Sequence, residues 1–108
     1  MKKKFPLNES ITIDTLEEIA GTRFPEYKSY TQTFMIGKCL CINKNALFRA
    51  VVKVSHKPSK NQTTLVVNSH VTALGSLLAG PIWGPILFRS FFKEVEEVYV
   101  EELERLMK

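Results

Sequence analysis

Two neighbouring stretches of the chain alternate between apolar and polar side chains. In "ALFRAVVKVSHK" the residues Phe48, Ala50, Val52 and Val54 fall on one side, and in "QTTLVVNSHV" Leu65, Val67, Ser69 and Val71 do the same. A period of two marks strands with one buried face. With "PSKN" as the loop, antiparallel pairing sets Val54 opposite Leu65, Val52 opposite Val67, Ala50 opposite Ser69 and Phe48 opposite Val71. The other face then carries Arg49, Val51, Lys53, Ser55 and Lys57 beside Thr64, Val66, Asn68 and His70. Slipping by one residue would turn the valines out and the lysines in, so this register is strongly specified.

Upstream, "TQTFMIGKCLCI" fits two patterns. It reads as one long strand with Phe34, Ile36, Leu40 and Ile42 on a shared face and Lys38 misplaced among them. It also reads as two short strands turning at Gly37-Lys38, where a glycine first in the turn suits type II′ geometry. Three or four antiparallel strands are expected in all.

The period changes to 3.6 at both ends of the strand region. In "SITIDTLEEIAG", Asp14 and Glu17 make a capping-box-like pair ahead of Ile19 and Ala20, and Gly21 follows, which predicts a short helix over 14–20. Pro25 keeps Phe24 extended on the way into the first strand. At the C-terminal end Pro85 is a natural first-turn residue, and Phe88, Phe91, Phe92, Val95, Tyr99, Leu103 and Leu106 form one stripe opposite Glu94, Glu97, Glu101, Glu104 and Lys108. Glu101–Arg105 and Glu104–Lys108 are spaced as i,i+4 ion pairs, while Glu102 intrudes near the stripe. A helix over 85–107 would be about 34 Å long and would overhang a sheet of ordinary strands. The fold class is therefore α+β: a short N-terminal helix, a three- or four-stranded antiparallel meander and a long C-terminal amphipathic helix packed on one sheet face.

Between strand and helix lies "LLAGPIWGPILFRSFF", nine large apolar or aromatic side chains with one charge. The uninterrupted apolar run, 71–88, contains Gly75, Gly80, Pro81, Gly84 and Pro85 and only reaches the lower bound for a spanning helix, so no transmembrane span is expected. A stiff connector packed under the helix accounts for much of it. One small sheet and one helix offer a single interface, however, and the surplus apolar surface points to a second partner. The candidate contact residues are Leu77, Leu78, Ile82, Trp83, Ile86 and Leu87, serving either self-association or an apolar ligand such as a lipid.

Composition narrows the class further. With 108 residues, 44% apolar and 24% charged, the chain suits one ordered domain, 10–108, behind a mobile basic tail, 1–9. Pro6, Asn8, Glu9 and Ser10 occupy the place of a signal-peptide apolar region, and Cys39 and Cys41 stand too close on one strand to bridge comfortably. A reduced, cytoplasmic protein is expected. The net charge is +4, and no Asp or Glu occurs between Tyr27 and Lys93, whereas six glutamates crowd the last fifteen residues. Arg49, Lys53 and Lys57, at i, i+4 and i+8, align on one strand near His70, a surface suited to nucleic acid or an anionic membrane surface.

Catalytic chemistry finds little support. His56 and His70, the only histidines, fall on opposite faces in the strand register, which argues against a zinc site shared with Cys39 and Cys41. No carboxylate in the strand region could orient a Cys/His nucleophile pair, and "GPIWGP" lacks the lysine of a phosphate loop. No cofactor, metal or catalytic residue is expected. The sequence reads as a non-enzymatic binding or assembly module, self-associating through 74–88 and the C-terminal helix. The alternatives are an apolar small-molecule or lipid-binding domain, and a nucleic-acid or anionic-surface binder using the basic sheet face.

Overall fold

The computed structural model describes residues 1–34, 37–44, 48–71 and 89–107. Among these, five strands form one antiparallel sheet: β1 (Lys2–Pro6), β2 (Lys28–Phe34), β3 (Gly37–Asn43), β4 (Phe48–Lys57) and β5 (Gln62–Val71). Their order is β1-β5-β4-β3-β2, a meander of β2 to β5 with β1 added beside β5. Helices α1 (Ile13–Arg23) and α2 (Arg89–Leu106) share one hydrophobic core with a single face of that sheet. The α+β architecture is as the residue pattern predicts, with five strands in place of three or four.

The β4–β5 hairpin has the expected register, with Val54 opposite Leu65, Val52 opposite Val67, Ala50 opposite Ser69 and Phe48 opposite Val71. Its loop is one 3₁₀ turn, Pro58–Lys60, closed by Asn61 in the left-handed region (φ 51°), which asparagine tolerates better than most residues. Val52 is fully enclosed, and Val67 and Leu65 are nearly or wholly so. Burying each such side chain stabilises the fold by roughly 1.5–3 kcal/mol.

The fifth strand is the segment expected as a tail. Lys2 to Pro6 pair with Val66 to Gln62, and Phe5 is buried in the core. One aromatic anchor and a free edge on β5 outweigh three lysines, because alternate lysines of a strand can face water. Lys3, on the Phe5 side, reaches Glu104 of α2 at 3.0 Å. Pro6 lies at the end of an edge strand, where its missing N–H interrupts little pairing.

The ambiguous stretch is a hairpin, but its turn differs from the expected one. Phe34 is paired with Gly37, so Gly37 opens β3 and the connection runs through 35–36, not through Gly37-Lys38. Gly37 has φ 116°, a conformation closed to ordinary L side chains, so the glycine was a correct turn signal read two residues out of place.

Helix α1 is longer than 14–20. It starts after Thr12, whose backbone N–H donates to Thr15 Oγ1 at 3.1 Å, and it ends where the Phe24 N–H bonds the Ala20 carbonyl at 2.9 Å. Gly21 does not stop it, because that position faces open space and Phe24, buried among core residues, fixes the end instead.

On α2, Phe91, Val95, Tyr99 and Leu103 are buried at four-residue spacing, and Tyr99 Oη donates to the Leu16 carbonyl at 2.8 Å, joining the helices. Phe92 is half-buried and Leu106 is 38% exposed, so the stripe ends one turn early. Glu102 accepts two hydrogen bonds from Arg105 and one from Arg23 of α1. The expected Glu101–Arg105 pairing is thus replaced by an i,i+3 pair, and Glu104 bonds Lys3. Residues 72–88 and 108, including Phe88 and the first turn at Pro85, lie outside the described residues. No described helix is long and apolar enough to cross a membrane.

Candidate functional site

Because paired strands keep side chains in step, every residue of the outer sheet face can be placed from the register. The face contributes Lys2 and Lys4 from β1, Thr64, Val66 and Asn68 from β5, Arg49, Val51, Lys53, Ser55 and Lys57 from β4, Cys39 and Cys41 from β3, and Lys28, Tyr30 and Gln32 from β2. None of the five strands contains an Asp or Glu. All eleven carboxylates sit in the two helices or the turns, leaving a cationic sheet face on one side and an acidic helix layer on the other.

Arg49, Lys53 and Lys57 all belong to this face, as expected, and His70 is paired with Arg49 in register. Lys2, Lys4 and Lys28 are additional members that sequence reasoning missed. Their alternation is hidden in "MKKKFP" and "EYKSYT", and only the pairing of β1 with β5 and of β2 with β3 assigns them a side. Lys2, Lys4, Lys28 and Lys57 are exposed and make no ion pair among the described residues. Leu77, Leu78, Ile82, Trp83, Ile86 and Leu87, the candidates for self-association or an apolar ligand, lie outside the described residues.

The face has internal order at its β2–β3–β4 end. The Arg49 guanidinium donates to Tyr30 Oη at 2.6 Å and to Gln32 Oε1 at 3.2 Å, while Tyr30 Oη lies 3.4 Å from Asn43 Oδ1. Beneath this network Cys39 and Cys41 are completely covered and pack with Val51 and Tyr30. Burial pushes both thiols up in pKa, opposed by Lys53 at Cys39 and by Arg49 at Cys41. Thiolates are the reactive form, so these are inert packing cysteines in the folded protein.

At the β1–β5–β4 end the order is incomplete. Thr64 is 3% exposed, and its hydroxyl is enclosed without any hydrogen-bond partner. It lies between Lys4 and Ser55 in the ladder, with Lys2 on β1 and Lys53 and Lys57 on β4 as diagonal neighbours. An enclosed polar atom left unpaired costs about 1–3 kcal/mol. No family model, curated protein or solved structure matches this chain.

Elsewhere among the described residues the buried side-chain polar atoms have partners. His56, on the core side of β4, is held through Nε2 by the Ile11 carbonyl at 2.8 Å and through Nδ1 by Thr63 Oγ1 at 2.9 Å. Since a carbonyl can only accept, Nε2 carries a proton, and with Nδ1 bonded to Thr63 Oγ1 both ring nitrogens are occupied. The hollow between α1 and α2, lined by Thr15, Thr22, Arg23, Glu102 and Arg105, is bridged by its own ion pairs. Among the described residues no group of three or more His, Cys, Asp and Glu side chains gathers as a metal site would require.

Proposed function

We propose that the protein is a non-enzymatic binding module whose contact surface is the outer face of its sheet and whose partner is the phosphate backbone of a nucleic acid. One observation carries this reading: cations from β1, β2 and β4 share a face of a sheet whose strands contain no carboxylate. Lysines and hydroxyls are the usual positioning groups for phosphates, and neutralising several phosphates releases counterions. Tyr30 is the one aromatic among the described side chains of this face, and its hydroxyl is bound by Arg49. Among the described side chains of the face none offers an open platform for base stacking, the mainstay of single-strand readers, which favours a duplex held by its backbone. Of the described large hydrophobic side chains only Met1 and Leu106 are exposed, so the face offers little to insert into a bilayer. A reducing compartment such as the cytoplasm suits the free Cys39 and Cys41.

The test is fluorescence anisotropy of a short labelled DNA or RNA duplex titrated with the protein at rising salt. Binding should weaken steeply with salt, and Lys4→Glu combined with Lys57→Glu should weaken it about tenfold or more at low salt. A duplex that is ignored at low salt, or binding confined to phosphatidylserine vesicles, overturns the reading.

A second reading has its own support. Glu94, Glu97, Glu101 and Glu104 lie on the exposed side of α2, so the acidic helix of one copy complements the basic sheet of another. Such self-association is head-to-tail and would appear in light scattering as salt-sensitive growth with concentration, without added nucleic acid.

A further inference from the structure

Thr64 does not fit the reading of a featureless charged surface. Its neighbours on β5 obey the two-face rule, with Leu65 and Val67 enclosed by the core and Asn68 exposed. Thr64 faces outward yet is enclosed, and its Oγ1 has no partner. Across the ladder stand Ser55, whose hydroxyl is the same kind of donor, and Lys4, whose ammonium is exposed. Lys2 and Lys57 occupy diagonal positions, within reach for long side chains. Two hydroxyl donors flanked by flexible cations match a tetrahedral oxyanion, which accepts several hydrogen bonds at once. A carbonyl or amide ligand would leave most of that charge uncompensated.

We infer that Thr64, Ser55 and Lys4 form a phosphate subsite at the β1–β5–β4 end of the outer face, seating one backbone phosphate of the bound nucleic acid. This rests on the binding function proposed above and adds the point where the backbone is held. The arriving phosphate supplies the missing acceptor for the Thr64 hydroxyl. The site fixes the position of the duplex on the sheet, while Lys28, Arg49 and Lys57 contribute charge along the face.

The experiment compares Thr64→Val, Thr64→Ser and Lys57→Glu by duplex anisotropy, salt slope and thermal melting, and follows the Thr64 and Ser55 amides by NMR during titration with inorganic phosphate. Thr64→Val should melt at or above the wild-type temperature, bind duplex about tenfold more weakly and keep the wild-type salt slope, because it loses a hydrogen bond and no charge. Thr64→Ser should bind like wild type. If Thr64→Val binds as well as wild type while Lys57→Glu is impaired, the subsite is wrong and the basic-face reading stands. If wild type ignores duplex yet phosphate shifts the Thr64 and Ser55 amides, the subsite stands and the nucleic-acid reading fails. Silence in both titrations overturns both.

Discussion

Val66 and Val67 are consecutive residues of β5 and chemically identical, yet they belong to different worlds. Val67 is 1% exposed, enclosed by the core, and pairs with Val52; Val66 is half-buried and pairs with Lys2 and Lys53. The inner face of the sheet is an ordinary apolar core, completed by two helices. The outer face is a mixture of lysines, hydroxyls and small apolar residues, with one ordered network around Arg49 and one unsatisfied hydroxyl at Thr64. The larger cluster of buried apolar residues lies on the first face, and a smaller one, of Cys39, Cys41 and Val51, on the second.

That division can be broken by substitution. Leu103→Ala, which empties a fully enclosed position beneath α2, should lower stability by about 2–5 kcal/mol in a urea titration, whereas Lys57→Ala on the outer face should leave the midpoint nearly unchanged. An equal effect of the two would mean that the outer face is part of the fold's support. Next in size, Val67→Thr buries a hydroxyl among apolar neighbours and should cost about 1–3 kcal/mol, while Val66→Thr should stay within about 0.5 kcal/mol. Tyr99→Phe removes the bond to the Leu16 carbonyl, and the orphaned acceptor should cost about 1–2 kcal/mol with the helix stripe otherwise intact.

The smallest effect concerns pH. Hydrogen bonds from Arg105 and then Arg23 hold the Glu102 carboxyl below its ordinary value of 4.5. A group whose folded pKa is depressed contributes stability that is fully present above its unfolded pKa and is lost as pH falls through the folded one. The melting temperature should therefore fall with acid below about pH 4.5, and less steeply in Glu102→Gln. Identical acid slopes in the two proteins would show that the Arg23–Glu102–Arg105 cluster is a solvated surface pair of no consequence.

The proposed binding face was partly legible beforehand. Arg49, Lys53 and Lys57 share a strand, and strand alternation alone aligns them. Lys2 and Lys4 were not legible, since "KKKFP" has a single apolar anchor and reads as a tail until β5 offers an open edge. Thr64 was placed on the outer face correctly, but nothing in its neighbours along the chain shows that its hydroxyl is enclosed, because burial on a sheet depends on residues two strands away. Glu102 was visible as an intruder near the apolar stripe, and its partner Arg23 was not, being 79 positions distant in sequence.

By itself the sequence determined the elements whose information is local: the β4–β5 register, the amphipathic stripe of α2, and the exclusion of carboxylates from every strand. These follow from periods of two and 3.6 and from composition, which a chain carries whatever its surroundings. The tertiary structure decided what depends on an open edge or a distant partner. It made a basic tail into β1, moved the β2–β3 turn away from Gly37-Lys38, extended α1 through Gly21 to Arg23, and enclosed the Thr64 hydroxyl. In each case the deciding energy is a pairing or a burial between residues far apart in the chain, and such energies exist only once the sheet is assembled.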